Sequence, residues 1–242
     1  MTDILFLGGI FIIAILYSSV GHGGASGYLA FMALLGFAPE IMRPAALILN
    51  VFVSSIAFIS FTRNGHFRFK LLAPFMITSI PFAFLGGTFN VDTRIYKIIL
   101  GVFLLFAIGR MLIKVRKSES DLKELNIYFA LIIGAFLGFF SGLIGIGGGI
   151  ILSPILILLG WATVKQTAAV SAVFILVNSI AGLSGFILKN EMPEIQVIYM
   201  VMAGLLGGLL GSWLGSFRIG ENYLRYTLSA VLLMASIKLF LL

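Results

Sequence analysis

Ser141-Gly142-Leu143-Ile144-Gly145-Ile146-Gly147-Gly148-Gly149-Ile150-Ile151-Leu152-Ser153-Pro154 lies inside an otherwise apolar region, and four of its five central residues are glycine. Glycine lets the backbone turn through φ > 0 and come close to a neighbour, at the expense of helix stability. The apolar run before the cluster spans 126–142 and the run after it 148–160. The first half holds a similar stretch, 33 residues from Ile4 to Gly36, with Gly21-His22-Gly23-Gly24 in its interior. As one straight helix it would reach roughly 50 Å, against a bilayer hydrocarbon core of ~30 Å. Each stretch must break, and the glycines mark where.

The surrounding composition calls for lipid. Of 242 residues, 60% are hydrophobic and only 10% charged, too apolar for a soluble chain of this size to hide. Apolar runs fall at 4–20, 24–36, 44–61, 71–90, 95–114, 126–142, 148–160, 164–188, 195–216 and 222–241. The net charge of +7 comes from Lys and Arg between these runs. It reads as topology, with basic loops held on the cytoplasmic side, and not as nucleic-acid binding. Cysteine is absent, which excludes disulfides and thiolate metal sites. No His/Asp/Glu cluster has metal-ligand spacing, no nucleotide-binding loop is complete, and no cofactor is expected.

One linker is clearly polar, Lys114 to Glu124, and it lies at the midpoint. Shifting the second half back by 124 residues places Gly145, Gly147, Gly148 and Gly160 on Gly21, Gly23, Gly24 and Gly36, and Ser179-Ile180-Ala181 on Ser55-Ile56-Ala57. The chain therefore reads as an all-α polytopic membrane protein of two homologous halves. Residues 1–116 form the first repeat, 117–124 a cytoplasmic linker and 125–242 the second repeat. Each half opens with a glycine-broken stretch followed by three transmembrane helices. A kink within one crossing would make the repeats parallel, whereas a hairpin would make them inverted. Charge counting hardly separates these; the length of the broken stretches favours the hairpin and inverted repeats.

Backbone exposed by a helix break at membrane depth is tolerated only where protein or a water-filled cavity covers it. The helix that follows presents free N–H groups and its positive dipole end, which suits an anion. Paired breaks in two halves point to a transport site near the midplane. Candidate binding residues are Gly21, His22, Gly23, Gly24 and Ser26 at the first break, and Gly145, Gly147, Gly148 and Gly149 at the second. Asn50, Ser171 and Asn178 join them as polar groups at membrane depth. His22 either donates to the anion, carries a proton, or is satisfied by a nearby carbonyl. Arg43 and Lys165 occupy near-equivalent places and either attract anions at the pathway mouths or snorkel to the interface. No Asp or Glu lies well inside an apolar run, which argues against a carboxylate-lined cation path. Gly204, Gly207, Gly208, Gly211 and Gly215 read as close-packing positions, within the protomer or in a homodimer.

The cluster from Ser141 to Pro154 resembles the signature of the TauE/SafE family of membrane permeases, a Gly-x-Gly-Gly-Gly group followed by an apolar stretch and a proline. Gly21 to Gly27 looks like its degenerate first-half copy, with Ala25 in place of the last glycine of the cluster and Ala30 where Pro154 stands. The resemblance covers essentially the whole chain. It implies transport of sulfite, sulfonates or related sulfur oxyanions, mostly export, without catalysis, across the inner (cytoplasmic) membrane. A secondary transporter coupled to protons or sodium is the leading expectation. A passive anion channel, or a membrane enzyme or assembly subunit, are the alternatives.

Overall fold

The computed structural model describes residues 2–19, 24–63, 65, 67–112, 122–189, 196–214 and 221–241. They form ten helices and, among the described residues, no strand: α1 Thr2–Ser19, α2 Ala25–Leu34, α3 Pro39–Arg63, α4 Phe69–Thr88, α5 Thr93–Leu112, α6 Ile127–Ile144, α7 Gly149–Leu158, α8 Val164–Ile187, α9 Gln196–Leu214 and α10 Glu221–Leu241. Helices α2 and α7 begin and end 124 residues apart. At ten residues each they are about 15 Å long, half the hydrocarbon core.

Local chemistry sets these boundaries. Both short helices end in the same glycine closure. Gly36 N–H donates to Ala33 and Phe37 N–H to Met32; in the second half Gly160 donates to Ile157 and Trp161 to Leu156. Both closing glycines have positive φ, 80° and 74°. Helix α6 starts behind Asn126, whose side chain accepts from Phe129 N–H, and α8 behind a reciprocal Thr163–Gln166 capping box. Helix α3 begins earlier than the apolar run at 44–61 predicts. Arg43 stands just before that run but is buried, so the helix starts ahead of it. Residues 114–121 of the polar linker lie outside the described residues.

The helices of the two halves interlock. Helix α1 packs against α9 and α6 against α4, while α3 faces α8 and α5 faces α10. Exchanging the halves maps this set of pairings onto itself. The closest approaches rest on glycine. A Cβ at Gly138 or Gly142 of α6 would overlap the carbonyl oxygen of Ser79 or Ala83 in α4. On the other side, Gly207 and Gly211 of α9 lie against the carbonyls of Phe11 and Ile15 in α1. In lipid no hydrophobic force draws helices together, so backbone contact of this kind supplies the attraction through dispersion.

Large apolar side chains such as Ile4, Leu5, Ile77, Tyr128, Ile132 and Leu206 face outward. Water would leave that surface unsatisfied; lipid matches it. Three described helices, Phe69–Thr88, Ile127–Ile144 and Lys165–Ile187, are long and apolar enough to cross a membrane.

Gly138→Leu is expected to destabilise the fold by about 3 kcal/mol through overpacking at a backbone contact. Gly8→Leu, where a Cβ meets nothing within 4 Å, is expected to be silent. Thermal unfolding followed by size-exclusion chromatography in detergent compares the two.

Candidate anion site at the second helix break

Helix α6 stops at Gly145, whose φ of 88° makes the turn and whose N–H returns to the Ser141 carbonyl at 2.9 Å. Gly147 and Gly148 follow with φ 77° and 69°, and Gly148 caps α7. All residues from Ser141 to Leu152 are buried. The break therefore exposes two kinds of orphan backbone group to the protein interior: carbonyls at the end of α6 and N–H groups at the start of α7.

Side chains from the first half satisfy the carbonyls. Arg43 Nε donates to Gly142 O at 2.9 Å, Tyr96 Oη to Ile144 O at 2.8 Å, and Asn50 Nδ2 makes a long contact to Gly145 O at 3.4 Å. Arg43 also caps α4, donating to Gly86 O at 2.7 Å, Gly87 O at 2.5 Å and Phe89 O at 2.8 Å. Its guanidinium carbon stands 5.1 Å over the Phe186 ring. A cation at two helix C-termini meets their negative dipole ends. Arg43 is only 4% exposed, so the structure places it inside the bundle and not at an open mouth. Lys165 is exposed on the first turn of α8 and does not join it.

The N–H groups are treated differently. Gly149 N–H turns back to Gly147 O, and Ile151 and Leu152 donate to Gly148 O. Among the described residues, the N–H groups of Ile146, Gly147, Gly148 and Ile150 have no acceptor. Buried unpartnered donors are rare in folded proteins and cost about 1–3 kcal/mol each.

Asn50 and the Phe174–Ile175 pair of α8 wall this space. A Cβ on Gly147 would lie 2.8 Å from Asn50 Nδ2 and 2.9 Å from Ile175, and one on Gly148 would lie 2.8 Å from the Phe174 ring. Ser171 is buried behind the first turn of α7, sharing a 2.9 Å hydrogen bond with Ser153, which itself donates to Gly149 O. Asn178 is fully buried on α8 and donates to Phe174 O at 2.8 Å. The structure thus brings together Gly145, Gly147, Gly148, Gly149, Asn50 and Ser171, with Asn178 one turn away along α8.

At the first break, Gly24 caps α2 with φ 80°, the counterpart of Gly148, and Ser26 is buried in the first turn. Gly21, His22 and Gly23 lie outside the described residues. Tyr96 and Ser153 were not among the expected site residues. A tyrosine near a helix start reads as an interfacial aromatic, and only the packing of α5 against α6 and α7 turns it inward. Among the described residues no group of His, Cys, Asp or Glu could hold a metal.

A lipid-facing helical bundle with a buried broken helix is the architecture of a multi-pass membrane protein. The chain belongs to the family described as sulfite exporter TauE/SafE, whose model matches residues 5–239. It is 38% identical over 234 residues to a probable membrane transporter protein of Sinorhizobium fredii, covering 95% of this chain and 94% of that one. A probable membrane transporter protein of Methanocaldococcus jannaschii is 28% identical over 246 residues, covering 92% and 89%. No solved structure matches the chain.

Arg43→Gln is expected to lower stability by roughly 3 kcal/mol or more, because buried carbonyls of α4 and α6 lose their donors. Arg43→Lys keeps the charge without the planar fork and recovers only part. Denaturation midpoints of the three proteins in one detergent measure this.

Proposed function

We propose that the protein is a secondary transporter that exports a small sulfur-containing anion, such as sulfite or an organosulfonate, across the cytoplasmic membrane. The observation that carries this reading is the set of buried N–H groups at Ile146, Gly147, Gly148 and Ile150 without acceptors. They lie at the positive end of α7, with no buried carboxylate among the described residues to repel an anion. A compact oxyanion carries several acceptor oxygens and matches several converging donors. Family membership supports the sulfur chemistry and the direction.

The two halves act as inverted repeats around the site. The equal α2 and α7, both headed by a left-handed glycine, give each half a half-length helix aimed at the midplane. A rearrangement within the interlocked bundle, and not separation of its halves, exposes the anion to each side in turn. Arg43, Tyr96 and Asn50 hold the α6 end of the break rigid, so the N–H cluster keeps its shape while the anion is exchanged. Arg43, buried beside the break, adds positive potential to it.

Reconstituted protein is expected to show saturable sulfite counterflow, with thiosulfate, sulfate and taurine ranked as competitors. Gly148→Leu places a side chain at φ 69° against Phe174 and is expected to reduce flux at least tenfold while the protein remains monodisperse. Full flux in that variant would make the break a packing device. Non-saturable flux without counterflow would make the protein a channel.

A further inference from the structure

The same site contains groups of the opposite character. Asn50 Oδ1 and Asn178 Oδ1 are both fully buried and have no hydrogen-bond partner. Their amide orientation follows from their contacts. Each Nδ2 faces a backbone carbonyl, Gly145 O for Asn50 at a long 3.4 Å and Phe174 O for Asn178 at 2.8 Å, and each Oδ1 is left as a bare acceptor. An anion cannot satisfy an acceptor; a donor or a cation can.

Their placement relates them to the break. Gly149 lies against Ile175 and Ser171, and Ser153, one turn further along α7, bonds Ser171. Helix α7 therefore runs back along α8, away from Asn178. Phe174 and Ile175 touch Gly148 and Gly147, and Asn178 lies three to four residues beyond them on the same face. That puts it about 5–6 Å past the N-terminus of α7 along α8. Asn50 borders the same end through Gly147. Asn50 and Asn178 thus flank the N-terminal end of α7, each with a bare amide oxygen.

We propose that this is a two-part seat, in which the N–H groups take an oxyanion and the amide oxygens of Asn50 and Asn178 take a positively charged group beside it. The inference rests on the oxyanion reading above. Oxygen ligands without a carboxylate suit a weakly bound monovalent cation such as sodium, and they equally suit an ammonium carried by the ligand itself, as in an aminosulfonate. A neutral pair is also far less costly to bury than a lone anion.

The test measures binding of ethanesulfonate and of taurine, which differ by an ammonium group, to the purified protein in sodium and in N-methylglucamine buffer. A free cation predicts that ethanesulfonate binds at least tenfold tighter in sodium. A ligand-borne cation predicts that taurine binds at least tenfold tighter than ethanesulfonate in N-methylglucamine. In either case Asn178→Leu removes the difference, and Asn178→Ser serves if the leucine variant does not fold. Equal affinities across all four conditions, unaltered by the substitution, overturn the proposal and leave a water on the amide oxygens. If no sulfonate or sulfite binds in any medium, the oxyanion reading fails separately. Radioactive sodium binding then decides the cation seat: saturable binding lost in Asn178→Leu supports it, and its absence overturns it.

Discussion

In a bilayer every backbone polar group must find a partner within the protein, and breaking a helix at membrane depth violates that rule at both cut ends. The structure resolves the two ends unequally. The carbonyl end of α6 is closed by donors from elsewhere in the chain, Arg43, Tyr96 and Asn50. At the N–H end, Gly149, Ile151 and Leu152 turn back onto Gly147 and Gly148, while the donors of Ile146, Gly147, Gly148 and Ile150 stay open. A break serving only to bend the chain would gain from closing both ends. Leaving donors open is sensible where something acidic or anionic visits them.

The rest of the fold supports that asymmetry. All three side chains that hold α6 come from helices before the central linker, so the second break is built by both halves. Arg43 ties the ends of α4 and α6 together just beyond the glycine contacts between those helices. A charge at that depth is tolerated because helix-end carbonyls surround it, with the Phe186 ring above. The glycine-mediated contact of α6 with α4, and of α9 with α1, keeps the frame close-packed around the short helices. Rigid frame and open donors are what the proposed anion seat calls for.

Much of this was legible in the sequence because glycine at positive φ leaves a mark that few other residues can substitute. Gly24, Gly36, Gly148 and Gly160 carry the ends of α2 and α7, and the 124-residue offset read from them is the offset of those helices. Asn50 and Asn178 also stood out, since amides in an apolar run require partners. Arg43 was legible as a residue but not in its role. Its partners are main-chain carbonyls, which have no sequence signature, and an arginine without a nearby acid looks like a flank of the span. Tyr96 was hidden for the same reason. The share of the first break in the site turns on Gly21, His22 and Gly23, which lie outside the described residues.

The central claim is that the open N–H groups of the second break hold the oxyanion. The most direct measurement is anomalous diffraction from crystals grown with selenite, a heavier analogue of sulfite. The account predicts a selenium peak in front of α7, within hydrogen-bonding reach of the Gly147 and Gly148 nitrogens. Selenium bound elsewhere, with lipid or side chain filling the space before α7, would contradict it.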